Sequence, residues 1–420
     1  MQGTATPPKK RTPDRIPFVE GMRGVAALYV VLSHVCSMSD PSRLAGRQSH
    51  VKAEWFQSVT LFFSYGHLAV ASFIVISGFC LQISLFKGGD GRIKSIPRFF
   101  VKRARRILPA YYGSLAVSVC VAAFITPHFH GKPFEQYVPV TRENVLAHVF
   151  LVQNWSIDWM YKLNGVLWSI AIEAQLYILF PLLVLSVVRI GRWWTGVLSA
   201  AAAFCVLHYA PETIKLYPWF LPLFVLGMIS AHLAVKPHPV WGPAAWVGRV
   251  AGLACLGTCI YGARNNWTDP ATDTLIAGFV ACLCYAGSIS RPTPTVRLLS
   301  IRPLLSLGAF SYSLYLVHNP IQQVLYYVRP SFVTGEVATF WYLVAMLPVI
   351  ILAAWIFSLF LEKPFISKPK KVRRPEGAWV PTRLPLQGTV SAGSAVAEPE
   401  AARQREPGRR STVAGWSSLS

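Results

Sequence analysis

Ten stretches of this chain run for about twenty residues each with almost no charge, the length a helix needs to cross a hydrocarbon layer about 30 Å thick. They fall at 18–37, 61–86, 107–126, 165–188, 193–210, 217–235, 243–262, 272–290, 303–328 and 338–361. Backbone polar groups in lipid need partners within the segment itself, so runs of this length admit helices and little else. The expected fold is all-α: a polytopic integral membrane protein of about ten transmembrane helices. An eleventh apolar stretch, 144–155, is too short to cross and is expected to be a re-entrant or interfacial helix.

The charges test this count. Lys and Arg number 40 against 18 Asp and Glu, a formal net charge of +22. In a soluble protein that excess would point to nucleic acid. Here only 14% of the 420 residues are charged and 53% are hydrophobic, and the basic residues collect on one side. With the N-terminus in the cytoplasm, about 29 of the 40 lie in cytoplasmic segments and about 9 in the opposite loops. An odd number of crossings would put the basic loop 87–106 and the basic C-terminal segment on opposite sides. The consistent solution is ten crossings with both termini cytoplasmic, in the inner (cytoplasmic) cell membrane. Membrane lipids are then the constant partner, and no nucleic acid is expected.

The first run carries Glu20 and Arg23 and is followed by no small-x-small site, so it reads as a span and not as a cleaved signal. The domain reading is a basic cytoplasmic arm at 1–16, a transmembrane domain at 17–366 and a disordered basic cytoplasmic tail at 367–420, rich in Pro, Ala, Gly, Ser and Arg. All eight cysteines lie in apolar segments. Cys255/Cys259 and Cys282/Cys284 imitate ligand spacing without nearby His or carboxylates, so they read as small core residues, and no metal site is expected.

An ionisable side chain within a span is costly and is a functional candidate by default. Four stand out: Arg23 and His34 in the first run, Glu173 in the fourth and His318 in the ninth. Arg23 and His34 are eleven residues apart, so they share one helix face and are separated by about 16 Å along its axis. Snorkelling would account for Arg23, but not for His34 on the same stripe. Glu173 and Tyr177 lie one turn apart, with Trp168 and Ser169 in the preceding turn. Ser311, Tyr315 and His318 recur at helical spacing, and Tyr312 accompanies them. Arg103 and Arg106, one turn apart at the cytoplasmic mouth of the third run, either set topology or grip a phosphate-bearing ligand.

These stretches together resemble the membrane-bound acyltransferase 3 family. The resemblance rests on Arg23 and His34 as an Arg-x10-His pair, and on Ser77-Gly78-Phe79. It also rests on Arg103, Arg106, Ile107, Pro109 and Tyr111 as Arg-x-x-Arg-Ile-x-Pro-x-Tyr, on Trp168-Ser169 with Glu173, and on Ser311, Tyr312, Tyr315 and His318. The five patterns occur in the family's order between Arg23 and His318. Small departures occur at Ile170 and Gln175.

The resemblance implies transfer of an acyl group, often acetyl, from cytoplasmic acyl-CoA to a hydroxyl of an extracytoplasmic or lipid-linked glycan. Some relatives acylate macrolides instead, and some carry an esterase-like domain, which is not expected within these 420 residues. Acyl-CoA enters as co-substrate, with no permanently bound cofactor. Such a reaction needs a base for the hydroxyl proton and stabilisation of the thioester oxyanion. His34, expected neutral in a dry interior, is the candidate base, with His318 as its rival. Arg23 would stabilise donor charge or orient the pantetheine arm. Glu173 would hold His34 or Arg23, or act on the acceptor. Arg103, Arg106, Tyr111, Trp168 and Ser169 are the expected donor-binding set. Ser77, Tyr177, Ser311, Tyr312 and Tyr315 complete the candidates, with Ser77-Gly78 read as a close helix contact more than as a nucleophile. Direct transfer is favoured over an acyl-enzyme. The competing class is a glycan transporter or flippase, which inverted repeats would favour; none is visible.

Overall fold

The computed structural model of the chain describes residues 16–40, 42, 51–131, 133–235, 243–290 and 292–366. The expected tail at 367–420 and nearly all of the expected arm at 1–16 lie outside the described residues. Every regular element among those residues is helical. The α-helices are α1 Pro17–Ser39, α2 Glu54–Phe63, α3 Gly66–Gly88, α4 Ile96–Phe124, α5 Arg142–Val149, α6 Ile157–Met160, α7 Leu167–Ile190 and α8 Arg192–Tyr209. They continue as α9 Phe220–Val235, α10 Pro243–Arg264, α11 Asp269–Ile289, α12 Pro294–Leu299, α13 Arg302–Ala309, α14 Ser311–Tyr327, α15 Gly335–Ala345 and α16 Leu347–Leu361.

Helices start where the local chemistry favours a start. Pro17 and Pro97 occupy the first turns of α1 and α4, where a missing N–H costs nothing. Thr141 and Thr293 cap α5 and α12 by accepting from the N–H groups of Asn144 and Val296. Among the described residues, seven helical segments are long and apolar enough to cross a bilayer. The expected eleventh stretch is the eight-residue α5, which ends before a 3-10 turn at Gln153–Trp155.

Three expected spans are broken, which corrects their reading as single helices: 61–86 is divided at Ser64 and Tyr65 between α2 and α3, and two more are divided nearer the C-terminus. The run 303–328 is divided at Phe310 into α13 and α14, and 338–361 is divided at Met346 into α15 and α16. The break at Met346 precedes Pro348, which cannot donate to the turn before it. At Phe310, a carboxylate from elsewhere satisfies donors at the new helix start: Glu362 Oε2 accepts from Ser313 N–H at 3.2 Å and from Ser313 Oγ at 2.5 Å. In the other direction, α4 begins eleven residues before the expected span and carries Arg103 and Arg106 on the helix itself.

The helices of the core approach closely at glycines. A Cβ at Gly78 of α3 would sit 2.1 Å from the Phe224 carbonyl oxygen of α9, and one at Gly227 of α9 would sit 2.1 Å from that of Val75. Small residues facing each other let two backbones touch, the means by which helices associate without a hydrophobic driving force between them. Helix α1 meets α13 in the same way, with Gly24 against the Leu304 carbonyl and Gly308 against that of Glu20. The outer surface is apolar instead: Trp193, Trp194 and Phe204 on α8 and Trp246 and Leu253 on α10 are exposed. That distribution suits a lipid surround.

Candidate active site

A cavity of about 70 Å³ opens between α1, α3, α4, α7 and α14. Each contributes polar side chains: Arg23 from α1, Ser77 and Cys80 from α3, Arg103 and Arg106 from α4, Ser169, Glu173 and Tyr177 from α7, and Ser311, Tyr312 and Tyr315 from α14. Val70, Phe73, Ile74, Ile76, Leu81 and Ile170 form the apolar part of the wall. Ten of the fourteen residues singled out in the sequence therefore line one space.

The close approach of α3 and α9 at Gly78 fixes the neighbouring Ser77. Its Oγ donates to Glu173 Oε1 at 2.8 Å and lies 2.6 Å from the Tyr177 hydroxyl, which itself donates to Glu173 Oε1. Glu173 is thus held by two hydroxyls and does not touch His34. Three guanidinium groups share the cavity with this one carboxylate, leaving its field positive. Arg103 lies over the Phe99 ring, 5.8 Å from its centroid, and its buried Nε has no hydrogen-bond partner. Deeper in, Ser169 Oγ and the Tyr315 hydroxyl are 2.6 Å apart, and the Tyr315 hydroxyl donates to the Val166 carbonyl at 3.2 Å. The Tyr312 hydroxyl donates to the Ile107 carbonyl at 3.2 Å.

The remaining four candidates lie elsewhere. His34 and His318 meet each other: Nε2 of His318 is 3.3 Å from Nδ1 of His34, with ring centroids 5.0 Å apart. The His318 ring lies next to the cavity wall, since the Tyr315 ring lines the cavity and the two centroids are 6.0 Å apart. Trp168 is stacked on Tyr217 at 4.4 Å and is buried, away from the lining. Tyr111 is fully buried, and its hydroxyl donates to the His148 carbonyl at 2.8 Å while accepting from Gln153 Nε2 at 3.2 Å. It ties α4 to the short helix α5. Burial pushes the His148 imidazole on that helix down to about 4, so His148 is neutral at physiological pH. Gln175 reaches the Leu151 carbonyl and Asn154, again a structural tie.

Sequence reasoning missed two features. One is Glu362, which looked like the end of the last span. The other is a cluster in which Asp273, fully buried, accepts from Trp219 Nε1 at 2.9 Å and bonds His67 Nδ1 at 2.8 Å. His67 and Asp273 both stand within apolar runs, so the signal was present; Asp273 was masked by its place at the edge of 272–290. Asp273→Ala removes the acceptor of a buried indole N–H, a loss of about 1–3 kcal/mol. We expect a lower melting temperature in detergent, with Asp273→Asn, which keeps one acceptor, falling between.

The acyltransferase domain family matches residues 16–359. Among curated proteins, the chain is similar to the O-acetyltransferase OatA of Staphylococcus aureus strain NCTC 8325 / PS 47, at 25% identity over 397 residues. The same protein of strain COL matches equally, at 25% identity over 397 residues. These alignments cover 86% of this chain and 58% of OatA, so the chain spans somewhat over half the length of those relatives. No solved structure matches the chain.

Proposed function

Because the chain belongs to the acyltransferase domain family, we propose that it is an integral membrane O-acyltransferase. It moves an acyl group, acetyl by analogy with the relatives' name, from cytoplasmic acyl-CoA to a hydroxyl of a surface or lipid-linked glycan. The observation that carries this reading is one cavity lined by three arginines, with an imidazole pair whose His318 ring lies next to the lining Tyr315. The arginines suit the phosphates of CoA, and the imidazoles suit removal of a hydroxyl proton. Arg23 and His34 are about 16 Å apart along α1, so Arg23 belongs with the donor's phosphates and pantetheine arm and not with the reacting carbonyl.

His34 takes the hydroxyl proton as the acceptor oxygen bonds to the thioester carbon. The C–S bond then breaks, CoA leaves as thiolate, and the proton is passed on from His34. The positive-inside distribution supports a cytoplasmic-membrane location with both termini in the cytoplasm. Purified protein in lipid nanodiscs, given labelled acetyl-CoA and a glycan acceptor, is expected to release CoA and label the sugar. Glycan movement across a vesicle membrane without CoA release would replace this reading with transport.

Lys carries one ammonium where Arg offers a planar two-pronged donor. Arg106→Lys is therefore expected to raise KM for acyl-CoA by roughly 10-fold with little change in kcat. Steady-state kinetics at varied acyl-CoA check this, and an unchanged KM would remove Arg106 from the phosphate site.

A further inference from the structure

The imidazole pair carries more information than two rings in contact. His318 is fully buried on α14, while His34 on α1 is half-buried. Their hydrogens follow from neighbours that can only accept. His318 Nδ1 lies 3.1 Å from the Leu314 carbonyl oxygen, so that nitrogen carries the hydrogen and, in a neutral ring, Nε2 is bare. The bare nitrogen faces His34 Nδ1 at 3.3 Å. The other neighbour of His34 Nδ1, at 3.0 Å, is the Val30 carbonyl oxygen. Two acceptors converge on one nitrogen, so Nδ1 of His34 is protonated and shares its hydrogen between them. The lone pair left over is on Nε2 of His34.

We propose that His318 is a positioning residue that holds His34 in its Nδ1–H tautomer and fixes its ring plane, leaving His34 Nε2 as the proton acceptor. The inference rests on reading His34 as the base, and it changes His318 from rival to support. The Val30 carbonyl, one turn back on the same helix, accepts from the same Nδ1–H and favours the same tautomer. A ring held by one bond can still swing about Cβ–Cγ. The second bond comes from another helix, with the rings inclined at 69°, and stops that swing. During transfer the acceptor O–H breaks and an N–H forms at His34 Nε2. The Nδ1–H stays bonded to His318, which neither gains nor gives a proton.

The test compares His318→Gln, whose side-chain oxygen can still accept from Nδ1–H, with His318→Leu, which cannot. His318→Leu is expected to lower kcat roughly 10- to 100-fold with KM for acyl-CoA unchanged, and His318→Gln to recover most of that loss. Equal loss in both, in folded protein, would overturn the proposal and make His318 itself a proton carrier; equal retention would overturn it too. If His318→Leu fails to fold, ¹⁵N-histidine solid-state NMR of the wild-type protein decides: a His34 protonated at Nδ1 supports the assignment, and one protonated at Nε2 refutes it. His34→Gln separates the two levels, since its retained turnover would remove the base reading whatever the His318 variants do.

Discussion

A His34→Ala protein is expected to fold and to bind acyl-CoA, yet to transfer the acyl group at least about 100-fold more slowly than wild type. Binding survives because Arg23, Arg103 and Arg106 line the cavity while His34 is not among its lining residues. Transfer fails because, among the described side chains, the imidazole in contact with His34 is that of His318, whose Nε2 then faces the space His34 occupied. The fully buried His318 cannot reach a hydroxyl from there. The substitution strips that nitrogen of its donor, a loss of about 1–3 kcal/mol, which a melting curve resolves from unfolding. Acyl-CoA binding, melting temperature and turnover are measured on the same preparation. Turnover near the wild-type rate would remove His34 from the chemistry, and lost acyl-CoA binding would mean that donor and imidazole sites are one.

The second large effect is structural. Gly78→Ala would place a methyl group 2.1 Å from the Phe224 carbonyl oxygen, and Gly227→Ala would do the same to that of Val75. Both obstacles are backbone, so no side-chain rotation relieves them, and α3 and α9 are forced apart. Overpacking a tight contact costs about 1–3 kcal/mol or more. Because Ser77 is the next residue, its bonds to Glu173 and Tyr177 are disturbed as well. We expect both variants to lose folded yield and melting temperature, with residual protein showing weakened acyl-CoA use. Gly257→Ala on α10 is the control: open space surrounds that position, and Ala favours the helix by about 1 kcal/mol. A Gly78→Ala protein as stable as this control would refute the close-contact account.

Much of the molecule was legible in its sequence because the signals are local. A helix in lipid satisfies its own backbone, so runs such as 165–188 announce α7 without reference to any neighbour. Ionisable residues are costly in such runs, which marked Arg23, His34, Glu173 and His318 before any packing was known. The breaks were harder to see. Nothing within 303–328 reveals that Glu362, some fifty residues on, satisfies the start of α14.

The sequence by itself determined that the chain is a helical membrane protein and which residues are polar against their surroundings, because hydropathy and helical period act between residues a few positions apart. Only the tertiary structure decided partnership: that Glu173 bonds Ser77 and Tyr177, that His34 meets His318, and that Tyr111 and Trp168 are packing residues. Those pairings depend on how α1, α3, α7 and α14 are rotated against one another. For α3 and α1 the seating is fixed by backbone contact at glycines against α9 and α13, whose residues lie far away in the chain.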